Sequence, residues 1–513
     1  MNSTSNNSKK SSNDKAWLYA ISSIFLCFGF VTLFAAFWYK SVYGDVGFDS
    51  IIFSLFSNAS GVNNDIVYDY LLRSLLPAIL VSVLFCFIFF YTPKKAYFLK
   101  LKKYELKLFP FPRLLSCMLC YILSFCLIVS GIFVSRLSRK ISSAIQSSSF
   151  FEENYVDPNE VEIVFPESKR NLIYIFLESM EATYFLENKG GSVNHDIMTE
   201  LWDLGNKNIN FSHHSSVGGF KDLTCCSWTS AALVAQTTGI PLKMPSTIKE
   251  FDFENGNFLP GAANITSILK KNGYYQTLMV GSDSDFGNRR QFFQLHGADK
   301  IYDIDTAKAD GIVPEDYYVW WGMEDKYLFE YAKQELTEIA TGSLPFAFTM
   351  LTVDTHFPDG YTCDMCENNF DEPYENVIAC SNKQVNDFIN WVKEQPFYEN
   401  TTIVIAGDHL SMDFEYITEI GADDSQRCVY NCFINSAINT RFTKNRQFTA
   451  VDMFPTTLAA MGCVINGNRL GIGTNLFSGE PTVIEKFGYK YVDDEVAKVS
   501  DFYTQRFYKS TKE

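Results

Sequence analysis

The chain has 513 residues, 47% of them apolar, and a formal net charge of −16. This length allows several domains, and the acidic balance argues against a nucleic-acid partner. The apolar residues are unevenly spread along the chain, and their distribution is more informative than their total.

Three uncharged apolar segments lie near the N-terminus, at residues 16–39, 74–91 and 114–134. Each is about long enough to cross the ~30 Å hydrocarbon core of a bilayer as a helix. Three buried core helices are the alternative interpretation. The first segment lacks a small-residue cleavage site and exceeds the apolar part of a signal peptide, so we expect it to be retained. The sequence therefore predicts three transmembrane helices in contact with the lipid bilayer.

Basic residues predict the orientation of these helices, because cytoplasmic loops retain lysine and arginine. The loop of residues 93–113 is rich in lysine, whereas the loop after the first segment carries four aspartates. With the lysines of the N-terminal tail also inside, three crossings place everything after Val134 on the outer face of the cytoplasmic membrane. A basic cluster at residues 136–140 argues mildly for the opposite orientation.

The expected organisation of the chain has five parts. They are a cytoplasmic tail (1–15), a transmembrane region (16–140), a linker (141–165), a catalytic domain (166–485) and a C-terminal extension (486–513).

The outer domain repeats one pattern, in which a short apolar run is followed by a polar cluster and then by helix-like sequence. This pattern is typical of buried parallel strands connected by helices. The apolar runs are residues 171–179, 274–283, 345–356, 401–409 and 428–436. The sequence predicts an α/β domain with a doubly wound, mostly parallel sheet.

Acidic residues and histidines end three of these runs. Glu178 ends the first, Asp354 and His356 end the third, and Asp408 and His409 end the fourth. Ligands bind beyond the carboxyl ends of the strands in such sheets, so we expect these side chains to converge on one edge. A single acidic residue after a strand is usually a helix cap or a solvated loop residue. Several such strand ends predict a catalytic or metal site.

Two carboxylates and one imidazole, from Glu178, Asp408 and His409, suit manganese, magnesium or zinc. Such a metal would lower the pKa of a hydroxyl nucleophile and neutralise charge on a phosphoryl or sulfuryl oxygen. A capped strand end with a histidine in the loop is the alternative interpretation of the adjacent Asp408 and His409.

The stretch TCCSWTS (224–230) lies between the first strand and a helix predicted to begin near Thr229. A helix N-terminus suits an anionic phosphoryl group held by a nucleophile, although an N-cap threonine is the simpler interpretation. In GSDSDFGNRR (281–290), Arg289 or Arg290 could clamp a phosphate or could lie on the surface.

Eight of the 13 cysteines lie beyond the predicted membrane segments, where disulfides can form. Cys363, Cys366 and Cys380 flank a polar segment with no evident fourth ligand for zinc. A disulfide is favoured there, with undetermined pairing.

Several stretches resemble the phosphoglycerol transferases that decorate periplasmic glucans. These belong with the lipoteichoic acid synthases and phosphoethanolamine transferases in the sulfatase/alkaline-phosphatase superfamily. The stretches are LESMEATYF (177–185), WTSAALVAQTTGIPL (228–242), LTVDTHFPDG (351–360), GDHLSM (407–412), the segment FDSIIFSLFSNASG (48–61) and two closing segments within 450–479.

The resemblance implies a metal site of Glu178, Asp408 and His409, with Thr229 beside it and manganese as the usual ion. It also implies that Arg289 and His356 bind the glycerol phosphate head group. Gly287 stands where the lipoteichoic acid synthases have a tryptophan, so head-group contacts are expected to differ in part.

The implied reaction is a two-step transfer. A threonine takes glycerol phosphate from phosphatidylglycerol and releases diacylglycerol, and an acceptor hydroxyl then takes the group from the enzyme. The acceptor would be an envelope glycan, a glycolipid or a polyol phosphate, and His356 could assist proton transfer. A phosphoethanolamine transferase or sulfatase of the same superfamily is the alternative. A non-catalytic binding module is a third possibility.

The nucleophile is where the sequence departs from the family. Cys226, thirteen residues before Gly239, stands at the position of the synthases' threonine, and Thr229 stands three positions later. A thiolate could act in principle. Conversion of a cysteine to formylglycine normally needs proline and arginine two and four positions later, where this chain has Trp228 and Ser230. A local shift could instead bring Thr229 or Thr224 to the metal, and we expect Thr229, ahead of Cys226.

Overall fold

The computed structural model describes residues 16–44, 53, 64–92, 95–101, 104–244, 258–320 and 322–509. The chain forms two compact units. Unit 1 comprises Met1–Asp45 and Asn63–Ile141, and unit 2 comprises Val46–Val62 and Ser142–Glu513. The predicted cytoplasmic tail lies outside the described residues, as does the segment 48–61 apart from Phe53.

Unit 1 is built from apolar helices and one hairpin. Its elements are α1 (Ala16–Tyr43), α2 (Asn64–Tyr70), α3 (Leu76–Phe90), β1 (Tyr97–Leu101), β2 (Tyr104–Phe109) and α4 (Arg113–Val134), and α5 (Leu137–Ala144) follows at the boundary of the two units. Three helical stretches, Trp17–Tyr43, Ile66–Phe90 and Arg113–Val134, are long and apolar enough to cross a membrane. The prediction of three apolar helices is therefore confirmed.

The second apolar helix begins earlier than its predicted start at residue 74. A π-helical stretch, Leu71–Leu75, joins α2 to α3 without a break. Two charged residues in this extension are paired: Trp38 Nε1 donates to Asp69 Oδ2 (2.7 Å), and Arg73 forms an ion pair with Asp69 (3.3 Å). These pairings allow the helix to extend through residues that ended the uncharged run. The antiparallel hairpin of β1 and β2 was also not predicted.

Unit 2 contains a seven-stranded sheet in the order β5-β10-β9-β4-β8-β6-β7. Its strands in chain order are β4 (Asn171–Leu177), β5 (Gly219–Phe220), β6 (Tyr275–Val280), β7 (Lys300–Tyr302), β8 (Phe346–Leu351), β9 (Thr401–Gly407) and β10 (Val429–Ile434). Two small ladders complete the strands of this unit: β3 (Ile163–Val164) pairs with β11 (Val464–Ile465), and β12 (Arg469–Leu470) pairs with β13 (Gly473–Thr474).

The helices of unit 2 cover both faces of the sheet. They are α6 (Phe150–Asn154), α7 (Thr199–Lys207), α8 (Thr229–Thr238), α9 (Ile265–Lys271), α10 (Arg289–Leu295), α11 (Ile304–Ala309), α12 (Asp325–Ile339), α13 (Pro373–Lys393), α14 (Phe414–Glu419), α15 (Met453–Ala460), α16 (Val483–Phe487), α17 (Tyr489–Ala497) and α18 (Asp501–Tyr503).

Side chains of β4 alternate between two cores because successive residues of a strand point to opposite faces. Ile173 and Ile175 pack in one core with residues of α7, α12 and α13. Tyr174 points to the other face, where its hydroxyl donates to Gln236 Oε1 on α8 (2.9 Å). All seven residues of β4 are buried, which accounts for the continuous apolar run that follows Asn171. The predicted doubly wound architecture is confirmed.

Strand direction matches the prediction in four of the five runs. β4 pairs in parallel with β8 and β9, and β6 pairs in parallel with β7 and β8. The fifth run, β10, is instead antiparallel to β9. The connection from β9 to β10, which contains α14, returns at the edge where β9 ends, and such a return gives an antiparallel pair. The first residue of β10 therefore lies at the same end of the sheet as the last residue of β9.

Candidate functional site

The first part of the site is a strand-end cluster, formed by Glu178, Asp408 and His409. Leu177 and Gly407 are paired in register at the ends of β4 and β9, so Glu178 and Asp408 emerge side by side. One ligand atom from each of the three side chains lies within 4.8 Å of the others. His409 Nε2 is 3.4 Å from Asp408 Oδ2 and 3.6 Å from Glu178 Oε1.

Hydrogen bonds orient the ligand atoms of this cluster. Asp408 Oδ1 accepts the amides of Ser179 (2.9 Å) and His409 (2.8 Å). Asp408 Oδ2 is buried without a hydrogen-bond partner among the described residues. His409 Nδ1 lies 2.8 Å from the carbonyl of Leu410, to which it donates, so Nε2 is the ring nitrogen that faces the carboxylates. An orphaned carboxylate oxygen and an imidazole nitrogen directed at it fit a divalent cation.

The electrostatics of the cluster point the same way. Burial raises the pKa of Glu178, and the neighbouring Asp408 raises it further. Burial likewise raises the pKa of Asp408. Burial opposes the charging of His409, but the carboxylates of Asp408 and Glu178 outweigh it and raise the pKa of the imidazole. All three side chains are fully buried, so the carboxylates lack water to solvate their charge.

Thr229 is brought to this cluster by α8. Trp228 is the N-cap residue and Thr229 is the first residue of the helix, whose remaining residues are all buried. The Thr229 hydroxyl donates to Glu178 Oε2 (3.3 Å) and lies 3.4 Å from His409 Nε2. A hydroxyl at the start of a helix, beside a buried carboxylate and imidazole, is well placed for nucleophilic attack on an anionic group.

Cys226 and Thr224 occupy different surroundings. Cys226 is fully buried, and burial, reinforced by Asp222, raises the pKa of its thiol well above the usual value. Such a thiol stays protonated and is a poor nucleophile. Thr224 is engaged elsewhere, because its amide and its hydroxyl donate to Asp493 Oδ1 at 2.7 and 2.8 Å.

The two candidate arginines, Arg289 and Arg290, have different partners. Arg290 forms ion pairs with Asp285 (3.2 Å) and Asp303. Arg289 is buried, and its Nη2 donates to Ser282 Oγ (2.9 Å) and the carbonyl of Asp283 (2.7 Å). Burial lowers the pKa of Arg289 to about 10, and the charge of Glu178 opposes this shift. Arg289 is therefore the arginine oriented near the strand-end cluster.

His356 follows β8 on a loop that a second carboxylate pair holds in place. Asp325 accepts the amides of Val353 (2.8 Å) and Asp354 (3.3 Å), and Asp354 Oδ2 accepts the amide of Asp325 (3.1 Å). Asp354 thus stabilises the loop and does not join the strand-end cluster. Burial lowers the pKa of His356, although Glu178 acts to raise it, and its Nδ1 donates to the carbonyl of Phe357 (2.7 Å).

Asp222 was missed by the sequence analysis. Its Oδ2 accepts the amide of Leu410 (2.9 Å), the residue whose carbonyl fixes the His409 ring. Its Oδ1 is buried without a hydrogen-bond partner among the described residues, and burial raises the pKa of the carboxyl to about 7. The only signal in the sequence is an acidic residue just before TCCSWTS, which is too common to single it out.

An aromatic contact was missed as well. Phe53, the described residue of the segment 48–61, packs against Trp228 and Phe258 with ring centroids 6.1 and 5.9 Å apart. A Cβ placed on Gly287 would lie 3.6 Å from Phe53 and 2.3 Å from Ser230 Oγ. The space beside Gly287 is therefore already filled by these neighbours.

The parallel sheet carries at its edge a carboxylate–imidazole cluster whose ligand atoms suit a divalent cation, an arrangement typical of hydrolase-like and transferase-like sites. The Sulfatase family matches residues 170–463, more than half of the chain, and the chain belongs to the sulfatase family. This assignment confirms the superfamily indicated by the sequence motifs.

Curated relatives and one solved structure show which proteins this chain is similar to. Phosphoglycerol transferase I of Escherichia coli strain 55989 is 29% identical over 377 residues, which cover 70% of this chain and 46% of the relative. Its counterpart in strain K12 is 28% identical. The chain thus spans about half the length of the curated relatives it matches. Lipoteichoic acid synthase LtaP of Listeria monocytogenes is 18% identical, with a TM-score of 0.50 over 65% of this chain and 82% of that chain, and shares the fold.

Proposed function

We propose that this chain is a membrane-anchored transferase. It moves glycerol phosphate from phosphatidylglycerol to a hydroxyl of an envelope glycan, glycolipid or polyol-phosphate acceptor. The observation that carries the proposal is the Thr229 hydroxyl, which contacts Glu178 and His409 at the start of a helix. The relatives named phosphoglycerol transferase support the choice of transferred group.

Glu178, Asp408 and His409, together with Thr229, would hold a divalent metal ion. Manganese is the proposed ion, and magnesium and zinc also suit this ligand set. When bound, the metal would lower the pKa of the threonine hydroxyl and neutralise charge on the phosphoryl oxygens. Asp222 supports this arrangement from behind, since it holds the backbone that orients the His409 ring.

The proposed transfer has two steps at phosphorus. In the first, Thr229 Oγ forms a bond to the phosphorus, the bond from phosphorus to the diacylglycerol oxygen breaks, and diacylglycerol leaves with a proton. In the second, an acceptor hydroxyl attacks the same phosphorus, the bond to Thr229 breaks, and the threonine regains its proton. Amides at the start of α8 would face the negative charge that develops on the phosphoryl oxygens in the transition state of each step.

Arg289 and His356 are the proposed contacts for the glycerol phosphate head group. Arg289 is held by Ser282 and Asp283, so its guanidinium is preorganised for a phosphate oxygen. Burial keeps His356 neutral near pH 7, so it could accept a proton from the acceptor hydroxyl and return one to the leaving group.

The membrane region fits a lipid donor. We propose that the three apolar helices are multi-pass spans of the cytoplasmic membrane and that unit 2 lies on its outer face. This orientation follows from the lysine-rich loop of residues 93–113, which would remain inside. A lipid donor and an envelope acceptor are then both within reach of one face.

The test is donor turnover by the full chain reconstituted in vesicles with manganese and labelled phosphatidylglycerol. Diacylglycerol should be released, and mass spectrometry should find glycerol phosphate on the peptide that contains Thr229. Cys226→Ala is the matched control and should retain both signals. Turnover of phosphatidylethanolamine or an aryl sulfate in place of phosphatidylglycerol would refute the proposal, as would an adduct on Cys226.

A further inference from the structure

A second group of potential ligands lies in unit 2 apart from the strand-end cluster. This cysteine cluster consists of Cys363, Cys366 and Cys380. Cys363 Sγ is 3.6 Å from Cys366 Sγ and 3.8 Å from Cys380 Sγ, and the three sulfurs lie within 4.8 Å of one another. A disulfide bond is about 2.05 Å long, so these sulfurs are not bonded. The arrangement differs from the disulfide that the sequence favours.

The sulfur separations match those around a tetrahedral zinc ion. Zinc binds thiolate sulfur at about 2.3 Å, and tetrahedral angles then place neighbouring sulfurs about 3.8 Å apart. Three thiols that surround one point suit a metal better than a disulfide, which would join two of them and leave the third beside the bond.

Supporting contacts surround the cysteine cluster as they do in metal sites. Gln384 Nε2 donates to Cys380 Sγ at 3.3 Å. The amide of Cys366 donates to the carbonyl of Cys363 (3.1 Å), which closes a tight turn and brings both sulfurs of the C-x-x-C pair to one side. Such outer contacts orient thiolate ligands toward a common ion.

Two carboxylates lie near Cys363 in the structure. Carboxylate oxygens of Glu324 and Asp364 lie within 4.8 Å of Cys363 Sγ and of each other. Glu324 already accepts from Tyr317 (2.7 Å) and pairs with Lys326 (2.9 Å). The Asp364 side chain is 77% exposed and can turn toward the sulfurs. Lys326, which also pairs with Asp364, would offset part of the negative charge.

We propose that Cys363, Cys366 and Cys380 bind one zinc ion, with Asp364 as the fourth ligand. The ion would join the loop after His356 to α13, which contains Cys380. Its role is structural, because all four positions are filled by protein ligands and no open position remains for a substrate. The proposal does not depend on the transferase reaction.

Cobalt can test this site separately from the strand-end cluster, because only thiolate ligands give sulfur-to-cobalt charge-transfer absorption. Metal-free full-length protein titrated with cobalt should show this absorption with one equivalent bound, and zinc should displace it. The Asp408→Asn variant should retain the absorption although its strand-end cluster is damaged. Cys380→Ser should lose it, whereas Cys463→Ser, which changes another buried cysteine, should keep it.

The fourth ligand is tested by a second pair of variants. Asp364→Asn should weaken zinc binding at least about 10-fold, whereas Glu367→Gln, an exposed carboxylate in the same loop, should not. The proposal is overturned if the full chain, isolated without reductant, contains no zinc and a disulfide joins any two of the three cysteines. Absence of the charge-transfer absorption in the reduced wild-type protein would also overturn it.

Discussion

The strand-end cluster and the cysteine cluster are assembled in opposite ways. Glu178, Asp408 and His409 extend from the ends of two paired central strands and are fully buried. The cysteine cluster instead combines a surface loop with one turn of a helix, and Cys366 is only half-buried. Rigid strands and strict burial favour a site where reacting atoms need fixed positions. The cysteine cluster, which brings a loop next to a helix, instead suits the proposed structural zinc ion.

The largest effect should come from the hydroxyl that touches the strand-end cluster. Thr229→Ala should lower the rate of diacylglycerol release at least about 10³-fold, because it removes the hydroxyl that contacts both Glu178 and His409. Cys226→Ala should stay within a few fold of wild type. Initial rates in vesicles at saturating manganese measure both. Equal losses in the two variants would contradict the assignment of the nucleophile to Thr229.

A chelator should remove the metal of the strand-end cluster before that of the cysteine cluster. Oxygen and imidazole ligands bind manganese more weakly than three thiolates bind zinc. Dialysis against a moderate chelator at neutral pH should therefore lower transferase activity at least about 100-fold while zinc remains bound. Added manganese should restore the activity. Elemental analysis before and after dialysis measures the zinc, and a parallel loss of zinc and activity would contradict the contrast between the clusters.

The two clusters also differ in how well the sequence predicts them, because one lies at strand ends and the other combines a loop with a helix. Glu178, Asp408 and His409 follow continuous apolar runs, so a buried parallel sheet predicts their meeting at one edge. The cysteine cluster depends on the approach of Cys380 on α13 to the loop that contains Cys363 and Cys366, which no local pattern encodes. The sequence favours a disulfide there because no fourth ligand for zinc is evident near the three cysteines.

The nucleophile and the strand directions show a similar limit. Motif spacing placed Cys226 where relatives have threonine, whereas the threonine chemistry of the family favoured Thr229, the residue that contacts the cluster. Apolar runs predicted β10 as a strand but not its antiparallel direction, which depends on where the preceding connection turns back. Phe53 was beyond prediction because its contacts with Trp228 and Phe258 join distant parts of the sequence.

A smaller effect should arise at Gly287, next to the helix that carries Thr229. Gly287 has a φ of 64°, and a Cβ there would lie 2.3 Å from Ser230 Oγ. Gly287→Ala should therefore cost roughly 1–3 kcal/mol in stability and should slow transfer by displacing Ser230. Ser230→Ala removes the contacting oxygen. Gly287→Ala should therefore cost less stability and less activity when it is introduced into Ser230→Ala than when it is introduced into the wild type. Thermal unfolding and initial rates measured in the same samples test this, and strictly additive losses would show that the two positions are not coupled.

The smallest effect concerns a histidine outside both clusters, and it separates acid effects on the fold from acid effects on the sites. His296 is buried against Phe292, and burial lowers the pKa of its imidazole to about 4. Because the folded pKa lies below the unfolded value of about 6.5, its contribution to stability is full above pH 6.5 and is lost as the pH falls toward 4. This linkage amounts to about 2 kcal/mol at pH 5. His296→Asn should therefore flatten the decline of the unfolding midpoint between pH 6.5 and 4.5, whereas Thr229→Ala should leave that decline unchanged. If His296→Asn declines as steeply as wild type, the acid sensitivity of unit 2 arises from other groups.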